Sequence, residues 1–449
     1  MRFEPGPALR ALVMNPVFII LVVGIAARLA LFPLTPNYDS DGWALIVRNI
    51  RIGEGLYAID NYYYTPVWGY MLSLNSTIQG VFLNVDVLGM RIPEVFPVEA
   101  SEWMLRFTAT VTSLAFNAWT KVMFLISDLI VGYLIYWIVR DLTGDKKKAA
   151  FGLWLWFLCP LVIAVTSVSE MFDSFAVLFA LLCVIMIRKD RPFFAGILFT
   201  FAFMTKFFPI FLLFLLVAYL LVNHQSDGKA KRSLLMAALG AAFAFIVLML
   251  PQIMDGTFSE AFLFITSRVG ADGVVSTFNS LESVAAISVY IVCLIISFIL
   301  GWKLYKGGTK DLDKRFFMYS AIILTLIFLF PPTPQYLLIL VAFLSIYIAA
   351  SEKGLMRSWI ILSVGGALFV FGSHFTLALS MGAFSDLVSL DSVMSLFDWF
   401  QASGSSFSPA TILYLIGGVL EYIGILSIVL FFVRKGHSQR TRDAAAESG

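Results

Sequence analysis

The chain has 449 residues, of which 60% are hydrophobic and 13% are charged, and its mean hydropathy is +0.88. A soluble domain is about half apolar and a quarter charged, so this composition excludes a soluble protein and indicates a polytopic membrane protein. The net charge of +2 does not indicate a nucleic-acid partner. The three cysteines lie in apolar runs and the three histidines are scattered, so neither residue type predicts a metal site.

Apolar segments recur along the whole chain and predict an all-α membrane protein, a bundle of about 12 transmembrane helices. The predicted spans cover residues 15–34, 117–140, 149–166, 172–188, 193–205, 207–223, 233–251, 284–301, 317–330, 336–350, 358–375 and 411–433. We expect them to form a single domain over residues 1–435, followed by a disordered tail over 436–449 because that tail is polar and rich in small residues.

The distribution of basic residues predicts the orientation of these spans. Lysine and arginine collect in alternate loops, such as 146–148, 229–232 and 303–315. Positive loops stay on the cytoplasmic side, so both termini are predicted to be cytoplasmic and two long loops, 35–116 and 376–410, to be outside.

The first long outer loop contains an apolar stretch near residues 67–83. Counting it as a span would move the basic loop at 146–148 to the outer side. We therefore predict juxtamembrane helices on the outer face in this loop, with the apolar stretch either lying at the interface or re-entering the membrane.

Asp39 and Asp41 directly follow the first span. Two acids at this spacing can provide a catalytic base, hold a divalent cation or bind a sugar hydroxyl. They could equally cap the helix that follows, since aspartate is a favoured N-cap residue. No cofactor other than such a cation is indicated.

Further polar and aromatic residues lie at predicted outer ends of spans. Tyr64 and Trp68 belong to an aromatic run that could form a platform for a sugar ring or an interfacial aromatic belt. Lys206 could extend its ammonium to the interface, or bind the phosphate of a lipid. Gln335 and Tyr336 follow a proline-rich turn that would hold them at the mouth of a cavity.

Four ionisable residues lie within or between the second to fourth spans. Lys121 and Asp128 are two helical turns apart, so they share one helix face and could form a structural ion pair or line a cavity. Glu170 and Asp173 fall in a short outer turn, where they could be ordinary turn residues or could contact a substrate hydroxyl.

Several motifs occur in an order that resembles a known family. The family motifs Tyr-Thr-Asp-x-Asp-Tyr, Gly-x-x-Pro-Tyr, Tyr-x-Tyr-Thr-Pro-Leu, Gly-Lys-Phe-Leu-Phe-Ile-Ser-Cys-Asp-Leu, Met-Lys-Ile-Tyr-Pro and Gln-Tyr-Phe are similar to residues 37–42, 53–57, 62–67, 120–129, 205–209 and 335–337. The chain thus resembles the integral-membrane glycosyltransferases of the GT-C superfamily, and more closely the catalytic subunit of GPI mannosyltransferase I.

Two departures from that family concern the acceptor side of the reaction. The family's Arg-Gly-Asn-Ala-Asp-Ser turn corresponds to residues 168–174, which lack the arginine and the asparagine. An additional segment near 84–116 separates the Thr-Pro motif from Lys121. Both differences favour a prokaryotic homologue that acts on an acceptor other than a GPI precursor.

The resemblance implies an inverting transfer of a sugar, mannose, from a polyprenyl (dolichyl) phosphate to a lipid-linked or glycan acceptor. It places the reaction on the outer face of the cell membrane in a prokaryote, or on the lumenal face of the endoplasmic reticulum in a eukaryote. It implies catalytic roles for Asp39 and Asp41, binding of the donor phosphate by Lys206 and Lys121, and substrate contacts by Tyr64, Trp68, Glu170, Asp173, Gln335 and Tyr336.

Two alternatives remain open on the sequence. A transporter or lipid flippase would also explain ionisable residues within the spans. It would not explain the large outer loop with its acids and aromatic residues. A structural subunit without catalysis would not need the pair Asp39 and Asp41.

Overall fold

The computed structural model describes residues 14–32, 39–57, 62, 64–82, 88–91, 110–112, 114–225, 228–262, 281–329, 333–378 and 408–447, with a few positions between 389 and 400. Helices make up nearly all regular structure in these ranges, which confirms the predicted all-α class of polytopic membrane protein.

In chain order the α-helices are α1 (Pro16–Leu31), α2 (Asp39–Arg51), α3 (Pro66–Phe82), α4 (Leu114–Thr143), α5 (Lys146–Phe157), α6 (Pro160–Ile163), α7 (Asp173–Arg188), α8 (Pro192–Thr205), α9 (Leu213–Asn223), α10 (Ala230–Met254), α11 (Leu281–Lys306), α12 (Leu312–Ile327), α13 (Leu337–Ala350), α14 (Met356–Ala378) and α15 (Pro409–Glu447). A π-helix, Ala164–Val168, continues α6, and short 3₁₀ segments precede α9, α13 and α14. Each predicted span coincides with one of these helices or with a run of consecutive helical segments.

Five described helical segments are long and apolar enough to cross a membrane, namely Phe116–Thr143, Ala230–Met254, Ser288–Lys306, Lys353–Ser373 and Pro409–His437. A sixth candidate is the pair Lys146–Phe157 and Pro160–Val168, which is bent by 44° at a proline. The remaining apolar helices are shorter, so their crossing of the membrane stays a prediction.

Local sequence signals explain where several helices begin. Asn15 caps α1 by accepting a hydrogen bond from the Val17 amide at 3.0 Å, and Pro16 occupies the first helical position. Asp145 caps α5 in the same way through the amide of Lys147 at 2.7 Å. These caps satisfy amide groups that no helix turn can bond.

The predicted outer loop 35–116 contains the two helices α2 and α3, in agreement with the expectation of juxtamembrane helices there. It also contains an antiparallel pair of short strands, Leu88–Arg91 and Thr110–Thr112, which the sequence analysis does not predict. Residues 436–447 continue α15 as a helix where the sequence predicted a disordered tail. Helix α15 therefore extends well past the end of its candidate span.

Burial separates the core from the lipid-facing surface. Every residue from Leu337 to Ala349 is buried, so α13 occupies the centre of the bundle. In contrast, only 28%, 22% and 28% of the apolar windows of α10, α11 and α15 are buried, and their exposed residues include many leucines, isoleucines and valines. An apolar surface of this kind is suited to contact with lipid.

Glycines allow two helix pairs to approach closely. A Cβ atom on Gly196 of α8 would lie 1.9 Å from the carbonyl oxygen of Ala237 in α10, and one on Gly240 would lie 2.0 Å from that of Phe193. Gly365 and Gly417 play the same part between α14 and α15. Small residues at helix contacts are typical of membrane proteins, where close van der Waals packing drives association.

Polar contacts among described residues sort the helix ends into two sets. Arg188, at the end of α7, pairs with Asp141 and Asp313, and Lys435 pairs with Glu352. All five residues belong to ends or loops predicted to be cytoplasmic. The opposite ends of the helices meet around a second polar cluster, described next.

Candidate active site

The site is assembled at the ends of helices that the sequence places on the outer side. Asp39 and Asp41 lie in the first turn of α2, which is consistent with a role at a helix start. Their side chains lie outside the described residues. Consecutive helical positions differ by about 100°, so two residues two positions apart point in clearly different directions.

An aromatic cluster connects this helix to its neighbours. Trp43 of α2 contacts Trp68 of α3 with ring centroids 5.0 Å apart, and Trp68 stacks on Phe172 at 4.1 Å. Phe124 of α4 closes the cluster at 5.8 Å from Trp68. Trp68 is fully buried, so its ring face packs against Phe172 rather than forming an open platform for a sugar.

The turn before α3 is held by tyrosine hydroxyls. Tyr62 donates to the carbonyl of Thr65 at 2.8 Å and accepts from the amide of Gly69 at 2.8 Å, while Tyr57 donates to the carbonyl of Tyr64 at 3.0 Å. Burial raises the pKa of both Tyr57 and Tyr62, so both phenols stay protonated and can donate these bonds. The half-buried Tyr64 is thereby fixed at the edge of the site.

Lys206 ends α8 and points its side chain into the protein. Its Nζ atom lies 3.2 Å from Oδ2 of Asp173, and both side chains are almost fully buried. The ammonium also lies over the rings of Phe172, Tyr64 and Tyr336, at 4.1, 5.3 and 5.4 Å from their centroids. The predicted site residues Tyr64, Asp173, Lys206 and Tyr336 therefore come together around one cation.

Gln335 and Tyr336 lie in the 3₁₀ segment Pro334–Tyr336, directly before α13. Both are buried, and the Tyr336 ring lies 4.6 Å from that of Phe208, just after Lys206 in the chain. Pro334 occupies the start of this segment, and the Tyr336 ring lies beside the Lys206 ammonium, 5.4 Å from its centroid.

Lys121 and Asp128 lie on α4 and have different partners. Lys121 Nζ donates to the carbonyl of Phe32 at 3.1 Å and interacts electrostatically with Glu170. Asp128 forms a buried ion pair with Arg28 of α1, at 3.0 Å. Both residues thus connect α4 to neighbouring segments, and Lys121 lies close to the polar turn that contains Glu170.

That polar turn has an unusual backbone. The amide of Ser169 donates to the carbonyl of Ala164 at 2.8 Å, five residues back, which is the spacing of a π-helix. Glu170 then adopts a left-handed conformation with φ of 53°, which a buried residue other than glycine rarely does. Strained backbone and π-turns are both enriched at functional sites.

Sequence reasoning does not find Arg28, Thr166 or the π-helix as parts of this region. Arg28 could have been noticed as a cation within an apolar span, since such residues usually have a functional partner. Its partner Asp128 is 100 residues away in the chain. The irregular turn contains no sequence motif from which its conformation could be predicted.

Residues 100–254 of the chain match a protein-family model described as dolichyl-phosphate-mannose-protein mannosyltransferase. This similarity points to a membrane glycosyltransferase of the mannosyltransferase type. No curated protein matches the chain. The matched segment contains Lys121, Glu170, Asp173 and Lys206, whereas Asp39 and Asp41 lie before it.

The part of the chain that the structure describes contains no group of three or more histidine, cysteine, aspartate or glutamate residues that could hold a metal ion. The carboxylates of Asp39 and Asp41 lie outside that part of the chain. The described cluster combines a buried cation, buried carboxylates and aromatic rings. That combination is suited to binding an anionic group together with a sugar.

Proposed function

We propose that the protein is an inverting glycosyltransferase that moves mannose from a polyprenyl-phosphate donor to a lipid-linked or glycan acceptor. The observation that carries this proposal is the buried ammonium of Lys206, enclosed by Asp173 and three aromatic rings at the predicted outer ends of the helices. The family match over residues 100–254 supports the choice of mannose and of a lipid-phosphate donor.

Lys206 is the proposed site for the donor phosphate. A phosphate that reaches the ammonium competes with the carboxylate of Asp173, which holds Lys206 in the meantime and keeps its charge compensated. Lys121, on α4, is the second candidate for binding the phosphate, although it already donates to the carbonyl of Phe32. The ring of Tyr64, half-buried beside Lys206, is the proposed contact for the sugar.

The transfer needs a base and a stabilised leaving group. A carboxylate of Asp39 or Asp41 accepts the proton of the acceptor hydroxyl, whose oxygen forms a bond to the anomeric carbon from the face opposite the phosphate. The bond between the anomeric carbon and the phosphate oxygen breaks, and the polyprenyl phosphate leaves with the electron pair. Lys206 stabilises the negative charge that develops on that phosphate.

Further assignments concern the substrate contacts and the location of the protein. Glu170 and Gln335, both buried at this end of the bundle, are proposed to contact the acceptor or the sugar. The outer face of a prokaryotic cell membrane is the proposed location, with an acceptor other than a GPI precursor because residues 168–174 lack the arginine and asparagine of that family.

The test is transfer of radiolabelled mannose from a short-chain polyprenyl-phosphate mannose by the purified protein in lipid nanodiscs. Native membrane lipids and glycans serve as acceptors, and products are resolved by chromatography and mass spectrometry. We expect labelled product from the wild type. Lys206→Ala should raise the activation free energy of transfer by roughly 2–4 kcal/mol, because one preorganised charge is lost.

Two controls make the lysine experiment specific. Lys206→Ala leaves the Asp173 carboxylate buried without its partner, which costs about 3–5 kcal/mol of stability. Adding Asp173→Asn should restore the melting temperature but not the transfer. Lys189→Ala removes a lysine that also lies over an aromatic ring, Trp137, at the opposite end of the bundle, and should leave transfer unchanged.

Failure of the wild type to transfer mannose from this donor to any acceptor would overturn the proposal. Donor binding without transfer, combined with movement of the lipid between the leaflets of a vesicle, would favour a lipid flippase instead. Full activity of Lys206→Ala would reassign the phosphate site to Lys121.

A further inference from the structure

We propose that Arg28 and Asp128 are a positioning pair for the transfer reaction, fixing the outer end of α1 against the π-helix that precedes Glu170. This inference rests on the proposed function. It assigns a task to a first-span arginine that lies outside both the motifs and the matched segment.

The pair is completely enclosed by protein. Arg28 and Asp128 have no exposed side-chain surface, and Nε and Nη2 of the guanidinium both lie 3.0 Å from Oδ2 of Asp128. Replacing such a buried ion pair by apolar residues of similar volume is often neutral or stabilising. Bundle stability alone therefore does not explain a charged pair at this position.

The directions of the remaining bonds indicate what the pair holds in place. Arg28 Nη1 donates to the carbonyl of Phe157 at 2.9 Å, at the end of α5, and to that of Gly24 at 3.1 Å. Its guanidinium also lies over the Phe157 ring, at 4.3 Å. Phe157 is the last residue before the bend that leads to the π-helix, so Arg28 fixes the point where that bend begins.

Asp128 holds the other side of the bend. Its Oδ2 accepts from the hydroxyl of Thr166, in the middle of the π-helix, at 2.9 Å, and its carbonyl accepts from the indole of Trp156 at 3.0 Å. The same carboxylate oxygen thus contacts both α1 and the π-helix. Glu170 lies four residues after Thr166, so its position depends on where the π-helix is held.

Lys121 adds a second connection to the same helix end. It donates to the carbonyl of Phe32, the C-terminal cap of α1, from two turns along α4 from Asp128. Only residues 33–38 separate that cap from Asp39. The contacts of Arg28 with Asp128 and of Lys121 with Phe32 therefore fix the end of α1 relative to Glu170. The chain continues from that end to Asp39.

The experiment measures kcat and the donor KM separately in a variant that removes both charges, Arg28→Met with Asp128→Leu. Because apolar replacement of a buried pair preserves folding, we expect a monodisperse protein that binds the donor. We expect kcat to fall by about 10–100-fold with the donor KM within a factor of about two, since small misplacement of reacting groups slows the chemical step. Arg28→Lys keeps the charge and should recover part of kcat.

The matched control removes an arginine of the same kind from the opposite end of the bundle. Arg188→Met breaks the pairs with Asp141 and Asp313 and should change melting temperature but not kcat. A kcat within a factor of about two of wild type in the double variant would overturn the positioning role.

Two further outcomes keep the inference open to contradiction. If the double variant does not fold, Asp128→Asn and Arg28→Lys are measured in its place, and unchanged kcat in both contradicts the inference. Absence of transfer by the wild type removes the proposed function and this role together, whereas unchanged kcat in an active enzyme removes this role alone.

Discussion

Asp39 and Asp41, at the start of α2, are the residues on which the proposed chemistry depends. We predict that Asp39→Asn and Asp41→Asn, which keep side-chain size but remove the charge, abolish or strongly reduce transfer. The expected loss is about 10²–10⁴-fold for the residue that acts as base, because general-base catalysis contributes that much. The measurement is the mannose-transfer rate, with folding checked by gel filtration and donor binding by displacement of labelled donor.

Asp145→Asn is the control for these two variants. Asp145 caps α5 at the other end of the bundle, so its substitution should cost about 1 kcal/mol of stability or less and leave transfer unchanged. Full activity in both Asp39→Asn and Asp41→Asn would remove the catalytic argument, and a transporter or flippase would become the leading interpretation.

At the residue scale, the sequence predicts which side chains carry charge but not which partners they meet. Lys206 and Asp173 are each recognisable as polar residues at outer ends of spans, and the structure pairs them at 3.2 Å. Nothing local in the chain announces that pair, because it depends on how α7 and α8 pack. Trp68 illustrates a different difficulty. A tryptophan beside a polar loop suggests a sugar-binding platform, but in the structure Trp68 is buried against Phe172.

At the scale of elements, a substitution of the left-handed residue Glu170 can test backbone strain and function separately. We predict that Glu170→Gly relieves about 1–2 kcal/mol of backbone strain yet reduces transfer strongly, because the carboxylate near Lys121 is lost. Part of the gain in stability is offset because Lys121 loses a nearby negative charge. Thermal unfolding followed by intrinsic fluorescence, together with the transfer rate, tests both parts.

Asp311 provides the comparison for Glu170. It adopts φ of 49° immediately before α12, is exposed, and lies at the end of the bundle away from the site. Asp311→Gly should raise the melting temperature by at least as much as Glu170→Gly and leave the transfer rate unchanged. A fully active Glu170→Gly would show that transfer does not need the carboxylate at this position.

The positions of helices are easier to predict from sequence than the irregularities within them. The predicted span 149–166 corresponds to α5, α6 and the π-helix, because apolar content continues through all three. Pro160 explains the bend between α5 and α6. The change from four-residue to five-residue hydrogen bonding after Ile163 has no comparable signal, because it depends on Thr166 meeting Asp128 of another helix.

At the scale of the whole molecule, the basic loops predict the orientation of the bundle. In a protein whose buried native cysteines do not react, a cysteine at position 389 should be labelled by a membrane-impermeant maleimide from outside intact cells. A cysteine in place of Lys147 should be labelled only after permeabilisation. The reverse pattern would move the proposed site to the cytoplasmic face and remove the argument for a lipid-linked donor.

The all-α membrane architecture is predictable from sequence because hydropathy is a direct consequence of the membrane environment. Each predicted span coincides with a helix, since a chain in lipid must satisfy its backbone hydrogen bonds internally. The short strand pair Leu88–Arg91 and Thr110–Thr112 was not accessible, because it lies in a loop where hydropathy carries no periodic signal. The extension of α15 to Glu447 was missed because polar composition alone suggested disorder.

The π-helix at Ala164–Val168 also allows this segment to hold one extra residue without changing the direction in which the following residues face. A π-turn holds one more residue than an α-turn, so deleting a single residue between Ala164 and Val168 would return the segment to α-helical register. Because the wider turn absorbs the extra residue, this deletion would leave the following positions, including Glu170, facing the same way, whereas an α-turn formed without a deletion would rotate them by about 100°. Homologues with a one-residue gap at this point should therefore still present the residue equivalent to Glu170 toward Lys121, from a continuous α-helical turn.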